Sequence, residues 1–297
     1  MPEIDLENDG KLVSAGTLYV VATPIGNLAD LSDRARAVLS QVEVIAAEDT
    51  RHSKQLLAGF HVAGRLQPYH DFSNSSQTDK LLRCLLDGES VALISDAGTP
   101  LISDPGFKLV KVVREQGIPV FPVPGACALT AALSVAGLPT DRFVFEGFLP
   151  SKTKARQERL QQLYDEERTV VFYESPHRIA DCVQSMGHVF GGQRLIFLAR
   201  EMTKKFEQHF LGSLDDCASW IAADAHRKKG EFVLILAGAD QQERQQRRQQ
   251  QGVELVRELR ADMPLKKAVA LAATYTGARK NELYSAALAD EVTPDSD

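Results

Sequence analysis

Short apolar runs alternate with amphipathic stretches through the first half of the chain. Runs rich in β-branched residues predict strands at residues 17–22, 42–47, 91–95 and 119–123. Periodic apolar positions predict helices at residues 31–41, 52–60, 79–86 and 107–116, and a small-residue helix after Pro124 and Gly125. Ser32 and Asp33 are suited to cap the first helix. Because strand–helix alternation places helices on both faces of a sheet, we predict a mainly parallel α/β domain.

The same alternation continues in the second half, where the last strands follow one another more closely. Strands are predicted at residues 142–147, 169–173, 194–198, 206–211 and 231–236. Charged or amphipathic helices are predicted at residues 154–166 and 176–186. Consecutive strands favour antiparallel pairing, so the second sheet should be partly antiparallel. The junction between the two α/β units is expected near residues 140–141.

A polar run, ADQQERQQRRQQQG, follows Gly238 and has no apolar spacing that could build a core. It is either a linker or a solvated helix. Helical patterns follow at residues 253–259, 265–275 and 280–288, and the break at Thr276 and Gly277 is typical of a helix-turn-helix. The predicted organisation is a tail at residues 1–15, α/β domains at 16–139 and 140–240, a polar linker at 241–252, a helix-turn-helix-like appendage at 253–290 and a tail at 291–297.

Composition narrows the classes of protein that fit this pattern. The 297 residues, 44% of them apolar, are enough for more than one core. A formal net charge of −6 disfavours binding to nucleic acid by bulk charge, so any RNA contact must come from local basic patches. The first residues are acidic and polar, and no apolar run reaches the length of a membrane span. We therefore expect a cytoplasmic protein that does not bind a membrane.

The four cysteines, Cys84, Cys127, Cys182 and Cys217, are far apart and form no Cys-x-x-Cys pair. Because no histidine stands at ligand spacing from them, they predict neither a metal site nor a disulfide framework. We therefore expect reduced thiols in the core and no metal cofactor.

Four strand ends carry small residues, prolines or glycines in a short loop. They are ATPIGN at 22–27, SDAGTPLISDPG at 95–106, VPGACA at 123–128 and YESPHR at 173–178. Ligands of open α/β sheets bind at such strand ends, although each loop could also be only a tight turn. In the loop at 95–106, glycines let backbone amides approach a ligand, prolines stiffen the chain, and Asp96 adds a negative charge. Without the lysine or the Gly-x-Gly-x-x-Gly pattern of a phosphate site, this loop suits adenosine or a sulfonium amino acid better than a triphosphate.

Two charged stretches also admit two interpretations each. Residues 48–51, EDTR, are either a helix cap with an internal ion pair or, with His52 and Lys54, part of a rim that contacts phosphates. Residues 200–207, REMTKKFE, either form a charge ladder on an edge strand or place Arg200 and Lys204 in an interdomain cleft. Their position at a strand end favours the cleft.

Eight segments in a fixed order carry a resemblance to a known family. They are ATPIGNL, AAEDTR, ISDAGTPLISDPG, VPGACAL, EGFLPSK, FYESPHR, REMTKKFE and GEFVLILAG. Together they closely resemble the ribosomal RNA small subunit methyltransferase I family, which belongs to the tetrapyrrole-methylase-like, class III S-adenosylmethionine-dependent methyltransferases. The resemblance covers about residues 15–240 densely, and LKKAVALAATYTGARKNELYSAAL resembles the helix-turn-helix appendage of the same family.

The resemblance implies two α/β domains with a cofactor cleft between them, a homodimer, and methyl transfer from S-adenosylmethionine. The acceptor would be the ribose 2′-hydroxyl of a cytidine in the decoding region of small-subunit (16S) ribosomal RNA, either free or in the assembled small subunit. The implied cofactor contacts are Pro24, Ile25, Gly26, Asp96, Ala97, Gly98, Thr99, Cys127, Ala128, Phe172, Tyr173, Ala199 and Phe232. Tetrapyrrole methylases have a Gly-rich first loop that ends in Asp, and ATPIGNL replaces it here, which suggests a different acceptor.

Methyl transfer to a ribose hydroxyl needs a group that removes its proton. Glu174 and Lys204 are the candidates, because each stands at a strand end facing the presumed cleft, although Glu174 could instead pair with Arg178. The candidate RNA contacts are basic residues, namely Arg51, His52, Lys54, Lys152, Lys154, Arg156, Arg178, Lys205, Lys266, Lys267, Arg279 and Lys280. Two alternatives stay open: a small-molecule, tetrapyrrole-type C-methyltransferase, and an RNA-binding module without catalysis.

Overall fold

The computed structural model describes residues 12–59, 62, 64–70 and 75–292. Residues 1–11 of the predicted N-terminal tail and residues 293–297 of the predicted C-terminal tail lie outside the described residues. Within the described part of the chain, ten strands form two five-stranded sheets. One sheet lies in each predicted α/β domain, and a helical unit follows the second.

The first sheet is parallel throughout, which confirms the prediction from the alternating pattern. Its strands are β1 (Leu18–Val21), β2 (Val44–Ala47), β3 (Arg65–Pro68), β4 (Val91–Ile94) and β5 (Val120–Val123), in the order β3-β2-β4-β1-β5. The sequence pattern does not predict β3, because this edge strand is only partly buried and its residues, RLQP, carry no apolar alternation. Since parallel strands end at the same edge, the loops after β1, β2, β4 and β5 converge there.

Helices cover both faces of this sheet. They are α1 (Asp33–Gln41), α2 (Thr50–Leu57), α3 (Ser75–Leu86) and α4 (Phe107–Glu115), and α5 (Ala128–Val135) follows β5. Ser32 caps α1 as predicted, since its hydroxyl accepts a hydrogen bond from the Ala35 amide at 3.1 Å. Apolar residues of α1 and α2 are buried on one face and those of α3 and α4 on the other. Leu129 and Leu133 of α5 are buried instead in a cluster with Val233 of the second sheet, so α5 joins the two domains.

The second sheet is mixed, which confirms the expectation of partly antiparallel pairing. Its strands are β6 (Phe143–Phe148), β7 (Thr169–Glu174), β8 (Leu195–Arg200), β9 (Gln208–Ser213) and β10 (Phe232–Leu236), in the order β6-β7-β10-β8-β9. Only the β6–β7 pair is parallel among the described strands of this sheet. One face is covered by α6 (Thr153–Gln162), α7 (Ile179–Phe190) and α8 (Leu214–Ala222), and the other by α5. The helix α8 is not among those predicted, although Leu214, Cys217 and Ile221 recur at helical spacing and Ser213 caps it by accepting the Asp216 amide at 3.1 Å.

The Gln- and Arg-rich run forms the first part of α9 (Gln241–Leu259), which continues without a break through residues 253–259. The run is therefore a helix and not an extended linker. It is also not fully solvated, because Arg244 pairs with Glu167 and Arg247 pairs with Asp165 at 2.8 Å. The Arg247 guanidinium lies 3.7 Å from the centroid of the Tyr164 ring. Cationic side chains, rather than apolar ones, thus dock α9 on the second domain.

Two further helices, α10 (Leu265–Thr276) and α11 (Lys280–Val292), pack against α9. Val256, Val269 and Leu283 are buried in their shared core. Gly277 ends α10 in the left-handed conformation, at φ 72°, which a residue with a side chain adopts rarely. The arrangement agrees with the predicted helix-turn-helix, whereas the exact domain boundaries stay a prediction.

Candidate functional site

A cavity of about 460 Å³ lies between the two α/β domains, and we call it the interdomain cavity. The first domain contributes the loops that follow β1, β2, β4 and β5. The second domain contributes the ends of β6 and β7, the loop after β8 and the start of β10. Its volume falls within the roughly 300–1,000 Å³ that is usual for small-molecule sites.

A larger concavity, of about 640 Å³, is lined by residues 141–143 and 165–168. These residues precede or begin β6 and β7, so this concavity lies at the opposite end of both strands from the interdomain cavity. It is a groove beside the segment on which α9 docks. The interdomain cavity is the better candidate site, because the four strand-end loops that the sequence singles out all reach it.

Most of the predicted cofactor contacts line the interdomain cavity. They are Ile25, Asp96, Ala97, Gly98, Thr99, Cys127, Ala128, Tyr173 and Phe232. Pro24 and Gly26 flank Ile25 without lining the wall. Phe172 and Ala199 do not line it either. The Phe172 side chain is buried under α6–α8, on the other face of the sheet from Tyr173, because successive strand residues point to opposite faces. Ala199 is fully buried in the cluster beneath α5.

Hydrogen bonds join three of the first-domain loops into one rigid wall. The Thr23 amide donates to the Gly98 carbonyl at 2.8 Å, and the Gly98 amide donates to the Thr23 carbonyl at 3.0 Å. The Thr99 hydroxyl donates to the Ala126 carbonyl at 3.0 Å. Gly98 has φ 88°, which lets the chain turn back sharply at this point. The loop at 95–106 is therefore held in place by its neighbours before any ligand binds.

The same loop is strained further along. Leu101 and Ser103 have φ values of 73° and 65°, in the left-handed region that side-chain-bearing residues rarely occupy. On the other side of the cleft, a Cβ on Gly147 of β6 would lie 2.9 Å from the Ser103 hydroxyl oxygen. The second domain thus presses against the strained turn, and only a glycine allows that approach.

Carboxylates gather at this edge of the first sheet. Asp96 accepts a hydrogen bond from the Asp49 amide at 3.1 Å, and Asp49 itself caps α2 by accepting the Arg51 amide at 2.7 Å. The helix-cap interpretation of EDTR is therefore confirmed. Burial raises the pKa of Asp104, the Ser95 hydroxyl partly opposes this, and the charges of Glu48 and Asp96 add to the increase, so that the pKa is about 6. Glu48 and Asp104 also line the cavity; Glu48 is considered above only as part of EDTR, and Asp104 is given no role of its own.

Glu174 lines the cavity with a side chain that is fully buried. Its Oε1 accepts the Ser175 amide at 2.8 Å, and its Oε2 lies 3.4 Å from an Arg178 guanidinium nitrogen. Arg178 also donates to the Leu149 carbonyl. The predicted alternative, that Glu174 pairs with Arg178, is thus the arrangement in the structure. Both side chains hold the turn after β7, so Arg178 is also poorly placed to bind RNA.

Lys204 lies at the cleft, as its position at a strand end predicts, but its ammonium group is paired with two carboxylates. Its Nζ donates to Glu201 at 2.9 Å and to Glu231 at 2.8 Å. Burial alone would lower the pKa of Lys204, but the hydrogen bonds to Glu231 and Glu201 outweigh burial and raise it. An ammonium that pairs with two carboxylates and has a raised pKa is a poor proton acceptor at neutral pH, so this arrangement does not favour the predicted role of Lys204 as a general base. The aliphatic part of the Lys204 side chain packs against Gly26, and a Cβ on Gly26 would lie only 2.4 Å from Lys204 Cγ.

An aromatic group forms the second-domain side of the cavity. The Tyr173 hydroxyl accepts the Leu129 amide of α5 at 3.0 Å, which ties the second domain to the first. The Tyr173 ring meets Phe145 and Phe148 edge-on, with centroids 5.0 and 5.8 Å away. Burial raises the pKa of Tyr173, so its hydroxyl stays neutral. The cysteine prediction holds in part: Cys182 and Cys217 are buried, whereas Cys84 and Cys127 are partly exposed, and all four are free.

The predicted RNA contacts other than Arg178 divide into three groups. Six exposed side chains stand within a few positions of cavity-lining residues along the chain: Arg51, His52, Lys54, Lys152, Lys154 and Lys205. Four further basic side chains are exposed on the appendage: Lys266, Lys267, Arg279 and Lys280. The appendage docks at the turn before β7, and the cavity lies at the other end of this strand. Arg156 is only 2% exposed and its Nε donates to the Ser185 hydroxyl at 3.0 Å. The RNA-contact prediction for Arg156 is therefore wrong, because this side chain holds α6 against α7.

The described part of the chain contains neither a cluster of metal-ligating side chains nor a helix that could span a membrane. Residues 12–59, 62, 64–70 and 75–292 contain no group of three or more His, Cys, Asp or Glu side chains placed to hold a metal ion. Over these same stretches, every helix is too short or too polar to cross a membrane.

Comparison with known proteins places the chain in a family. Residues 17–218 match the family described as Tetrapyrrole (Corrin/Porphyrin) Methylases. Residues 249–291 match the family described as RsmI C-terminal HTH domain. The second match covers most of α9 together with α10 and α11, which are the helices that the sequence predicts as an appendage.

Among solved structures, the fold is similar to that of two methyltransferases. One is a cobalt precorrin-4 methyltransferase, with a TM-score of 0.57 and 14% identity over 76% of this chain and 98% of that one. The other is the uroporphyrin-III-C-methyltransferase of Thermus thermophilus, with a TM-score of 0.54 and 21% identity over 75% of this chain and 94% of that one. Identities this low show a shared fold only.

Much closer relatives share nearly the whole length. The Ribosomal RNA small subunit methyltransferase I of Pseudomonas aeruginosa is 50% identical over 276 residues, which are 93% of this chain and 98% of that protein. The protein of the same name from Escherichia coli O157:H7 is 48% identical over 275 residues, 93% of this chain and 96% of that protein. Two sheets that meet at a cleft, a helix-turn-helix appendage and near full-length identity together show that the chain belongs to the ribosomal RNA small subunit methyltransferase I family, within the tetrapyrrole methylases.

Proposed function

We propose that this protein transfers a methyl group from S-adenosylmethionine to small-subunit ribosomal RNA, at the ribose 2′-hydroxyl of a cytidine in the decoding region. The observation that carries the proposal is the 50% identity to the P. aeruginosa Ribosomal RNA small subunit methyltransferase I over 93% of the chain. The interdomain cavity supports it, because its walls suit the cofactor. A ribosomal substrate also implies a cytoplasmic location.

The cavity fits S-adenosylmethionine in three respects. The rigid wall of residues 96–99 offers backbone groups to the amino-acid end of a ligand. Asp96 adds a negative charge to the cavity wall, which suits a cation. Tyr173 and Phe232 offer apolar aromatic surface for an adenine. When bound, S-adenosylmethionine supplies a methyl group on a positively charged sulfur.

The chain itself would hold the reacting groups in line and keep water out. The loop at 95–106 is fixed by its hydrogen bonds to neighbouring loops, so little order has to be gained on binding. Phe148 and Met202 line the cavity from the second domain and would exclude water from it. Positioning of this kind contributes a large part of the acceleration of a displacement reaction.

RNA would approach across the exposed basic residues next to the cavity walls. Arg51 and His52 begin α2 directly after the cavity residue Glu48, and Lys205 follows Met202 closely. Lys152 and Lys154 stand shortly after Phe148, at the start of α6. Phosphate contacts by such residues predict an affinity that falls with salt, while the target cytidine is splayed into the cavity. The appendage would contact RNA further away, since it docks at the other end of the second sheet.

The test combines binding, transfer and mapping. Calorimetry measures S-adenosylmethionine binding, and tritium transfer is then followed to small ribosomal subunits and to free ribosomal RNA from cells that lack the protein. Mass mapping should place the new methyl group on a cytidine ribose. An Asp96→Ala variant should lose binding and transfer, whereas Asp87→Asn, an exposed carboxylate change outside the cavity, should not.

Other outcomes would point elsewhere. Transfer to a porphyrin-like acceptor instead of RNA would favour a small-molecule C-methyltransferase. RNA binding without transfer to either acceptor would favour a non-catalytic module. The homodimer stays a prediction, and light scattering of the full chain tests it.

A further inference from the structure

We propose that Asp104 is the general base that removes the proton from the acceptor hydroxyl; this inference rests on the proposed function. Asp104 lies in the loop at 95–106 and lines the interdomain cavity. Both residues that the sequence suggests for this role are engaged with other groups in this structure. Lys204 is held as an ammonium, and the Glu174 side chain holds the turn after β7.

Two other carboxylates in the wall are bound to fixed partners. Asp96 accepts the Asp49 amide at 3.1 Å and so takes part in the start of α2. Glu231 accepts from Lys204 at 2.8 Å, which neutralises its charge. A charged or amide donor close to a carboxylate makes it a weaker base. Asp104 also receives a hydrogen bond from Ser95, but burial and the nearby charges of Glu48 and Asp96 outweigh it.

The chain fixes Asp104 in position through local strain. The residue before it, Ser103, has φ 65°, and Leu101 has φ 73°, while Pro105 follows directly. Gly147 of the second domain approaches Ser103 so closely that a Cβ there would lie 2.9 Å from the Ser103 hydroxyl oxygen. Strained, over-determined residues are characteristic of sites that hold a reactive group in one geometry. The backbone next to Asp104 thus lies close to the second domain, beside the cavity that Asp104 lines.

The electrostatic surroundings make this carboxylate a stronger base than an ordinary aspartate. Partial burial disfavours its charge, and Glu48 after β2 and Asp96 in the same loop add negative charge nearby. Ser95 opposes this, and Tyr173, from β7 of the second domain, is neutral. The net effect of burial, Ser95, Glu48 and Asp96 is a pKa of about 6 for Asp104. Such a group is ionised at neutral pH and still basic enough to take a proton effectively.

The proposed step balances without a further reactant. The hydroxyl oxygen forms a bond to the methyl carbon as its proton passes to the Asp104 carboxylate. The bond between that carbon and sulfur breaks, and the sulfur keeps the electron pair, which converts the sulfonium to a neutral thioether. The products are a methylated ribose, a protonated Asp104 and an uncharged sulfur compound.

The test is the pH dependence of a single turnover. Methyl transfer to small ribosomal subunits is measured between about pH 5 and 8.5, with enzyme and S-adenosylmethionine saturating, for wild type, Asp104→Asn and the control Asp87→Asn. Wild type and control should lose activity below an apparent pKa near 6. Asp104→Asn should lose about 10²–10⁴-fold in rate, which is the usual contribution of general base catalysis. Calorimetry should find its affinity for S-adenosylmethionine within about threefold of wild type, less than 1 kcal/mol.

A Glu48→Gln variant tests the surroundings independently and does not depend on the folding of Asp104→Asn. Removal of the Glu48 charge should shift the loss of activity at acid pH, which we call the acid limb of the pH profile, to lower pH. The reason is that Asp104 then ionises more easily. The inference is overturned if Asp104→Asn keeps its rate, or if Glu48→Gln leaves the limb where it was. Loss of the limb in Glu48→Gln alone would assign the base to Glu48. If wild type transfers no methyl group to RNA, the proposed function itself fails, which is a different result from an active Asp104→Asn.

Discussion

Replacement of Asp104 by asparagine should change the pH dependence of stability, whatever the protein's activity. The carboxylate is partly buried beside Glu48 and Asp96, which raises its pKa from 3.8 to about 6. Between these two values the unfolded chain releases the proton and the folded chain keeps it. The folded state then binds more protons, so the free energy of unfolding falls as pH rises through this window. Above about pH 6 the loss is complete.

The size of the effect follows from the two pKa values. The difference between 3.8 and about 6 corresponds to about 3 kcal/mol. Because Asp104 is only partly buried, solvent screening reduces this to roughly 1–2 kcal/mol. Asparagine has nearly the same shape and no charge, so it should remove the loss. Relative to wild type, Asp104→Asn should therefore gain this amount between about pH 4 and pH 7.

Urea unfolding monitored by circular dichroism measures the change, at several pH values between about 4 and 7.5. The quantity of interest is the difference between variant and wild type as a function of pH, since this difference cancels all other titrating groups. Asp87→Asn, an exposed carboxylate in the turn after α3, serves as the control and should show no trend. A difference for Asp104→Asn that stays constant across the range would refute the raised pKa and the electrostatic reasoning built on it.

Three further variants test contacts around the cleft and a corrected assignment. Tyr173→Phe leaves the α5 amide without its acceptor and should lower the free energy of unfolding by about 1–3 kcal/mol in urea titrations; an unchanged value would mean that this bond does not tie the domains. Gly26→Ala forces the Lys204 stem to move and should weaken S-adenosylmethionine binding in calorimetry, whereas Gly59→Ala, in open space, should not. Arg156→Met should lower the midpoint of unfolding and leave RNA affinity in filter binding unchanged; weaker RNA binding at full stability would restore its predicted role.

The sequence predicted those features that depend on neighbours along the chain. Strand–helix alternation is a local pattern, and it correctly indicated a parallel first sheet, a mixed second sheet and the cap at Ser32. The edge strand β3 escaped prediction, because its residues are only partly buried and carry no apolar alternation. The helix α8 was missed although its buried residues recur at helical spacing. The choice between Phe172 and Tyr173 depends on which face of β7 meets the cleft, and sequence alone left it open.

The assignment of charged groups depends on partners far away in the chain. Lys204 and Glu231 are 27 positions apart, and their hydrogen bond at 2.8 Å turns an expected base into a fixed cation. Arginine is a residue type that commonly contacts RNA, yet Arg156 is buried and donates a hydrogen bond to Ser185, 29 positions away. A pattern of residue types cannot distinguish these outcomes, since burial and pairing decide what a charge does.

By itself, the sequence determined the elements, their order and the loops that reach the ligand edge, because backbone preference and apolar periodicity act over a few residues. Only the tertiary structure decided which side chains meet there. Asp104 acquires its unusual basicity from Glu48 on another strand end, together with burial and Asp96. The strain around Ser103 is held against Gly147 of the second domain. Electrostatic and steric contacts of this kind act through space, so they exist only once the two domains are folded together.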